Sequence, residues 1–253
     1  MNDSSKSSEH SRREFIKNVG LFGVATGMAV ASNAHAIELA PKDKQAPKLT
    51  LPGAQPKKVR WAIVGLGELA VNQILPAFSV CALSKPVAVV SGHPDKAKKI
   101  AEHYEISPKN IYNYENFDSL RENTDIDVVY IVLPNSMHSE FTVRALKAGK
   151  HVLCEKPFAT SSDEANLMIQ TARSQNRKLM CAYRLRYEPF NQKMIELART
   201  KSFGEMRMIE AHNCQDVQAP NIRLSKALGG GTLGDVGVYC VNAARCWRSR
   251  SGS

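Results

Sequence analysis

The chain has 253 residues, 43% of them hydrophobic, which is enough to form the core of one large domain or two ordinary ones. The formal net charge of +10 favours acidic or phosphate-bearing ligands, but the basic residues form no long run and are not interleaved with aromatic residues, so nucleic-acid binding is disfavoured. Six cysteines and seven histidines show no spacing typical of a metal site, and we expect no metal.

Residues 1–36 have the pattern of an export signal. The run Ser11-Arg12-Arg13-Glu14-Phe15 precedes an apolar stretch and then a small-x-small pattern that ends at Ala36. Paired arginines in this position resemble the twin-arginine signal, which carries folded proteins. A membrane helix is the alternative, but the apolar stretch is short and rich in glycine and alanine. We expect cleavage near Ala36, a periplasmic location and no stable membrane anchor after cleavage.

Strand and helix patterns alternate after a proline-rich segment. Residues 37–58 contain four prolines and no apolar period, which predicts an extended arm. Strands are then expected at 59–64, 86–91, 127–133, 151–154 and 178–182, and helices at 68–78, 94–104, 139–148 and 162–174. This alternation predicts an α/β fold, with a doubly wound parallel sheet of the Rossmann type over 59–183.

The pattern changes near Arg184. A helix through 198 is followed by an alternating run at 205–212, which predicts a strand of a second, antiparallel sheet. Three glycines then precede Thr232, a candidate N-cap, and a helical stretch that ends at 244. The tail beyond 244 has neither strand nor helix period. Residues 184–253 therefore predict a second domain of the α+β class.

Two cysteines fall within apolar strand patterns, Cys154 and Cys181. Both are expected to be buried free thiols, since free cysteine is among the most buried residue types. If the chain folds before export, disulfides are not expected.

A glycine-rich turn joins the first predicted strand to the first predicted helix. The run Gly65-Leu66-Gly67-Glu68-Leu69-Ala70 has the G-x-G-x-x-A form of a dinucleotide-binding turn. Gly65 permits the tight turn, and Gly67 lets the backbone approach a pyrophosphate. The N–H groups at the amino end of the helix, near Glu68 and Leu69, supply donors for phosphate. We expect these residues, with Leu66, to bind the cofactor.

The end of the second strand indicates which dinucleotide binds. An NAD-binding protein usually has an acidic residue there, whereas this chain reads Ser91-Gly92-His93-Pro94-Asp95-Lys96. Ser91 can donate a hydrogen bond to a 2′-phosphate, and Lys96 can supply positive charge, so NADP is favoured. The alternative is that Lys96 is a solvated lysine and Asp95 serves NAD.

Two further strand ends carry candidate cofactor-binding residues. The segment that follows 127–133 includes Leu133, Pro134, Asn135 and His138, which could face the ribose or nicotinamide. His138 could equally be a first-turn helix residue with no ligand.

The second of these strand ends is that of 151–154, which runs into Glu155-Lys156-Pro157, and Glu155 and Lys156 are candidate cofactor-binding residues. The carboxyl end of a parallel strand is where open α/β sheets bind ligands, and a lysine there can polarise a reacting oxygen. A surface ion pair is the alternative reading of Glu155 and Lys156.

These motifs together resemble the Gfo/Idh/MocA oxidoreductase family. The matching segments are Gly65-x-Gly67, Pro134-Asn135 with His138, Glu155-Lys156-Pro157 and Tyr183-Arg184. Within the family, Gly229-Gly230-Gly231 and Asp235-Val236-Gly237-Val238-Tyr239 are most similar to the glucose-fructose oxidoreductase branch. The resemblance implies a Rossmann domain joined to a substrate domain with a mostly antiparallel sheet, and a homo-oligomer for full-length members. By the same likeness, residues 184–253 would form only part of that domain, an incomplete α+β substrate domain.

The resemblance also implies roles for individual residues. Lys156 corresponds to the catalytic lysine, Tyr239 to the proton-transferring tyrosine and Asp235 to the acid beside the substrate. A cation within about 4–6 Å favours the ionised form of a tyrosine, which suits Lys156 to its role. The alternative for Tyr239 is a core tyrosine of an amphipathic helix.

Three residues that follow the Rossmann domain are candidates for sugar contacts by the same likeness. They are Arg184, which is also a candidate for the cofactor, Tyr187 and Asn191. Arg184 could instead pair with Glu188.

The activity implied is transfer of hydride between a sugar and bound NADP. The expected substrate is glucose, oxidised to gluconolactone, and the reverse sense could reduce fructose to sorbitol. The alternatives are a truncated relative that binds NADP without turnover, since the resemblance ends near Ala244, and a periplasmic sugar-binding protein. Lys156 with Tyr239 argues against the last of these.

Overall fold

A computed structural model describes residues 57–247, the last of these by its backbone alone. The expected export signal, all but the last two residues of the expected arm, and the tail from 248 lie outside the described residues. Within the described range, no helix is long and apolar enough to cross a membrane.

Six parallel strands form a single sheet in the order β3-β2-β1-β4-β5-β6. The strands are β1 (Val59–Val64), β2 (Ser84–Val90), β3 (Ile111–Tyr112), β4 (Val128–Ile131), β5 (His151–Glu155) and β6 (Leu179–Ala182). The strand order reverses between β1 and β4, and open α/β sheets bind ligands at such a switch point. The predicted doubly wound parallel sheet is confirmed.

Helical segments cover both faces of the sheet. The first, α1, combines a π-helical turn (Ala70–Ile74), an α-helical turn (Leu75–Ala77) and a 3-10 turn (Phe78–Val80). The others are α2 (Pro94–His103), α3 (His138–Lys147), α4 (Ser162–Ser174), α5 (Pro189–Arg199) and α6 (Val238–Trp247). Ser161 caps α4 by accepting a hydrogen bond from Glu164 N, and Glu188 caps α5 in the same manner.

Two apolar cores lie on opposite faces of the sheet. Ala62 and Val64 pack on one face with Phe117 and Met168, while Ile63 packs on the other with Leu75. This division follows from the strand period of two, which sends neighbouring side chains to opposite faces. Strands that are buried on both faces explain the continuous apolar runs in the sequence.

The register brings five strand ends to one level. Val64 lies opposite Val90 of β2 and Ile131 of β4, Ile131 lies opposite Cys154 of β5, and Cys154 lies opposite Cys181 of β6. The residues that follow these positions therefore share the carboxyl edge of the sheet. The glycine turn, Ser91, Val132, Glu155 and Ala182 are the first of them.

The second half of the described chain departs from the sequence prediction. Residues 205–212, predicted to be a strand, form neither helix nor strand. A strand needs hydrogen bonds to a neighbouring strand, and no segment between 57 and 247 forms a ladder with this one. Thr232 makes no side-chain capping bond, because it is already helical and is followed by a π-helical turn, Leu233–Gly237. The last helix continues three residues beyond 244, and the two-residue strand β3 was too short to show a period.

Candidate active site

The glycine turn has the shape that a dinucleotide requires. Gly65 has φ +91°, and a Cβ atom there would collide with the backbone carbonyl of Val132 on the neighbouring strand end. Gly65 N donates to Val90 O at 3.0 Å, which fixes the turn to β2. Gly67, in contrast, has open space where its Cβ would lie.

The residues of this turn fit a pyrophosphate. The open side of Gly67 lets a ligand approach the backbone, and Val71 N donates to Gly67 O at 3.0 Å, so the helix begins directly after the turn. N–H groups in a first helical turn have no partner within the helix and attract anions. Glu68 and Leu69 supply two of these groups, and their side chains are exposed. Leu66 is buried beneath the turn.

The end of β2 places Lys96 beside this turn. Lys96 Nζ donates to Leu66 O at 3.3 Å, across 30 residues of chain, and its side chain is otherwise exposed. Ser91 is buried, and its Oγ accepts a hydrogen bond from His93 N at 3.1 Å. Lys96 is therefore held where a charge could meet a phosphate on the adenosine side, while Ser91 shapes the loop.

His138 joins two strand ends. Its ring is fully buried, with Nδ1 2.7 Å from Pro157 O and Nε2 3.0 Å from Leu133 O. Burial lowers its pKa, although both carbonyls act in the opposite direction. A neutral imidazole has one N–H, so it donates to one of the two carbonyls. The ring holds the segment after Lys156 against the end of β4.

Asn135 connects the sheet edge to the second half of the chain. Its Nδ2 donates to Gly229 O at 2.8 Å. Pro134 precedes it, as the N-terminal flank of a 3-10 turn, Asn135–Met137. Asn135 therefore supports the triple-glycine turn, a role that its position in the sequence did not reveal.

The carboxylate of Glu155 accepts a hydrogen bond from the neighbouring strand β4. Tyr130 donates its hydroxyl to Glu155 Oε1 at 2.6 Å, and Lys156 N donates to Oε2 at 3.1 Å. Burial and the carboxylate raise the pKa of Tyr130 far above its usual value, so the phenol remains a donor. This contact orients the strand end from which Lys156 projects.

Lys156, Asp235 and Tyr239 come together at the carboxyl edge of β5. Lys156 Nζ lies 2.8 Å from Asp235 Oδ1 and 2.8 Å from the Asp235 carbonyl oxygen, and 5.0 Å from the centroid of the Tyr239 ring. The side chains of Lys156 and Asp235 are 14% and 13% exposed. Both side chains are therefore largely buried, with the ammonium group over an aromatic ring, and the surface alternative for Lys156 is wrong.

A second tyrosine holds Tyr239 from the Rossmann side. Tyr183 OH donates to the Tyr239 carbonyl oxygen at 3.3 Å, and the two rings lie 5.5 Å apart. Burial, followed by the nearby Tyr239, raises the pKa of Tyr183 to about 12. Tyr183 therefore stays a neutral donor.

Asp235 sits in the π-helical turn Leu233–Gly237, and such turns are frequent at functional sites.

Two family models match most of the described chain. Residues 59–183 match the model described as an oxidoreductase family with an NAD-binding Rossmann fold, and residues 191–249 match the GFO/IDH/MocA C-terminal domain. The chain belongs to the GFO/IDH/MocA oxidoreductase family. The resemblance drawn from the motifs is confirmed.

Three relatives illustrate the range of this family. An aldose-aldose oxidoreductase structure from Caulobacter crescentus is 40% identical, with a TM-score of 0.70, over 76% of this chain and 58% of that one. A 3-ketoreductase mutant from Actinomadura kijaniata, solved with TDP-benzene and NADP, is 30% identical with a TM-score of 0.65 over 76% and 58%. An NADP⁺-dependent D-xylose 1-dehydrogenase from Haloarcula marismortui is 28% identical over 74% and 53%. This GFO/IDH/MocA chain spans a little over half the length of each.

The three candidate sugar-contact residues of this family member make no described hydrogen bond or ion pair to Lys156, Asp235 or Tyr239. Arg184 and Tyr187 are exposed on a 3-10 turn, Arg184–Tyr187. Asn191 donates through Nδ2 to Glu188 Oε2 at 2.7 Å, and so reinforces the cap of α5. The alternative pairing of Arg184 with Glu188 is absent from the described ion pairs, because Glu188 accepts from the first turn of α5 instead. Their contacts with sugar remain predictions.

One residue of the site had no sequence signal. Arg223 Nε lies 2.8 Å from Asp235 Oδ2, on the side of the carboxylate opposite Lys156. Arg223 lies in a polar loop with no recognisable motif, so only the tertiary structure reveals it.

No group of three or more His, Cys, Asp or Glu side chains within 57–247 could hold a metal ion.

Proposed function

We propose that this chain is an NADP-dependent sugar oxidoreductase that oxidises glucose to gluconolactone and, in the reverse sense, reduces fructose to sorbitol. The observation that carries the proposal is the cluster of Lys156, Asp235 and Tyr239 at the carboxyl edge of a dinucleotide-type sheet. A protein that only binds sugar needs neither a largely buried lysine nor a tyrosine beside it. The names of the relatives, which include sugar oxidoreductases, support the substrate class.

The chain's own residues move the proton. Tyr239 accepts it from the sugar hydroxyl, and Lys156 favours the ionised phenol through its charge. Asp235 fixes the ammonium group of Lys156 through two contacts, to its carboxylate and to its carbonyl oxygen. When bound, NADP⁺ supplies a nicotinamide ring that takes up hydride from the sugar carbon. Tyr183 holds the backbone of Tyr239, so the acceptor keeps its orientation.

NADP is proposed over NAD from the residues at the end of β2. The described loop has no acidic residue at the strand end, and Lys96 lies against the glycine turn. A ribose hydroxyl pair favours an acidic partner, whereas a 2′-phosphate favours a cation. Gly65, Gly67 and the first turn after them would hold the pyrophosphate, as the open side of Gly67 allows.

One experiment tests the proposal and separates its alternatives. The chain is purified, the absorbance of bound nicotinamide is recorded, and glucose is added. Reduction of the bound cofactor is the expected result. Bound but inert cofactor would favour the second candidate, a family member that binds NADP without turnover, and sugar binding without nucleotide would overturn both.

Two variants sharpen this experiment. K156M and Y239F each remove one member of the cluster and are expected to lower the rate of cofactor reduction by about 10²–10⁴-fold while NADP stays bound. K193M is the matched control, because Lys193 makes an exposed ion pair on α5. Equal rates in K156M and K193M would exclude the proposed role of Lys156.

Export and cofactor retention belong to the same proposal. The paired arginines and the cleavage pattern near Ala36 support folding before export to the periplasm, with the cofactor already bound. The proline-rich arm could then clasp the adenine side. Deletion of residues 40–56 should release NADP on dialysis, and full retention would count against this part. A homo-oligomer is proposed from family likeness alone.

A further inference from the structure

Asp235 is shared between two cations. Its Oδ1 accepts a hydrogen bond from Lys156 Nζ at 2.8 Å, and its Oδ2 lies 2.8 Å from Arg223 Nε. The Arg223 side chain is 37% exposed, compared with 13% for Asp235. Arg223 therefore covers the solvent side of the carboxylate, and Lys156 holds the inner side.

The backbone around Arg223 is built to keep it there. Asn221 Oδ1 accepts a hydrogen bond from Arg223 N at 3.0 Å and caps the 3-10 turn Ile222–Leu224. Gly230 packs against the Arg223 carbonyl group, and a Cβ at Gly230 would lie 2.7 Å from the carbonyl carbon. Gly229, the preceding residue, accepts the hydrogen bond from Asn135. The turn that carries Arg223 is thus tied to the end of β4.

The charges of Lys156, Asp235 and Arg223 do not cancel, and the neighbouring carboxylate of Glu155 is held separately, by Tyr130 OH and the backbone N–H of Lys156. Lys156 and Asp235 alone would form a neutral pair, whereas Arg223 adds one positive charge that cannot be removed near neutral pH. By engaging Oδ2, Arg223 also draws part of the carboxylate's attraction away from Lys156. The charge of Lys156 is then less compensated where it faces the Tyr239 ring, 5.0 Å from its centroid.

We infer that Arg223 is a positioning residue that shares the Asp235 carboxylate with Lys156. The two cations and one carboxylate then leave a net positive charge beside Tyr239 when the substrate hydroxyl loses its proton. This inference rests on the proposed function. Arg223 acts through Asp235 and needs no contact with sugar or cofactor. Its loss should therefore alter proton removal without altering substrate affinity.

The first test compares R223Q, R223K and the control R199Q, in which an exposed arginine of α5 is changed. The kcat of R223Q should be at least about tenfold lower at neutral pH. The rising limb of its rate–pH profile should move up by about one pH unit, so the deficit shrinks in alkali. KM should not change, and R223K should recover most of the rate. A raised KM with normal kcat, or an equal loss at every pH, would overturn the inference.

A second test requires no turnover. Lys156 is labelled by reductive methylation, and the rate of its methylation is measured by peptide mass spectrometry in the wild-type chain and in R223Q. Methylation needs the unprotonated amine, and in R223Q Asp235 holds Lys156 more firmly as the ammonium ion, so labelling should slow about threefold or more. Unchanged labelling would overturn the inference. A wild-type chain that labels as expected but does not reduce its cofactor would contradict only the proposed function.

N221A keeps the test decisive if R223Q does not fold. It removes the cap of the turn but leaves the arginine, and it should change Lys156 labelling in the same direction by a smaller factor. Labelling of N221A that is faster than in the wild-type chain would contradict the inference.

Discussion

Asn135 Nδ2 donates a hydrogen bond of 2.8 Å to Gly229 O, and this bond joins the end of β4 to the turn that supports Arg223. The two residues are 94 positions apart in the chain. Gly229 has φ +76°, and a Cβ atom there would lie 2.8 Å from Asn135 Cβ and 3.0 Å from Thr160 Cγ2. A side chain at position 229 would therefore clash with both Asn135 and Thr160, so this contact requires glycine.

Replacement of Gly229 by alanine should weaken this junction. The positive φ and the close contacts should together cost about 1–3 kcal/mol of stability, because a non-glycine residue in the left-handed region is strained. G234A is the matched control, since its Cβ would meet nothing within 4 Å. Thermal unfolding of the two variants checks this prediction. Equal melting temperatures would show that the turn is looser than the structure indicates.

The Rossmann half could be predicted because its local signals agree with the tertiary structure. Apolar runs, the glycine turn and the helix ends each predict the same parallel sheet. In the structure, the strand register then places Gly65 and Lys156 at one edge of that sheet. Family likeness also linked Lys156 with Asp235 and Tyr239, and the structure brings these three side chains together, while their roles stay predictions. Local pattern and fold are consistent there, as in most natural proteins.

The rest of the site depends on contacts that no local pattern encodes. Asn135 occupies the position expected of a cofactor-binding residue, yet its amide reaches Gly229. Arg223 has no motif around it. The alternation at 205–212 is a real strand pattern, but a strand forms only with a neighbour, and the described residues supply none.

Lys96 should determine the choice of dinucleotide. If its charge meets the 2′-phosphate, K96A should weaken NADP binding roughly tenfold, which is ~1.4 kcal/mol, and leave NAD binding unchanged. K98A on the same helix is the control, because Lys98 is exposed and makes no described bond to the glycine turn. Isothermal titration with both dinucleotides measures the difference. An equal loss of NAD and NADP affinity would assign Lys96 to the turn itself, through its bond to Leu66 O.

The pair of Arg60 and Asp127 should make stability depend on pH in the acid range. Hydrogen bonds and charge from Arg60 lower the pKa of Asp127 to about 2, against about 3.9 in an unfolded chain. The stabilisation is therefore complete above pH ~4 and is lost as pH falls towards 2. D127N should lower the melting temperature by about 2–4 °C at neutral pH.

The difference between D127N and the wild-type chain should shrink as pH falls from about 4 to about 2, because Asp127 takes up its proton near pH 4 in the unfolded chain but only near pH 2 in the folded chain. D216N serves as the control, because Asp216 is exposed and contacts only Gln218 among the described residues. A D127N deficit that persists unchanged at pH 2 would mean that packing around Arg60, rather than charge, supplies the stability.

Cys154 should resist thiol reagents in the folded chain. It is fully buried on β5, and burial raises its pKa to about 12, so it forms far less thiolate than an exposed cysteine. Cys181, directly opposite on β6, is partly buried, and burial raises its pKa to about 11. Cys81 and Cys214 are exposed and should react first with a maleimide. Peptide mass spectrometry gives each rate, with the unfolded chain as the reference. Labelling of Cys154 as fast as Cys81 would show that β5 opens to solvent, and the ordered end of that strand is what holds Lys156 in place.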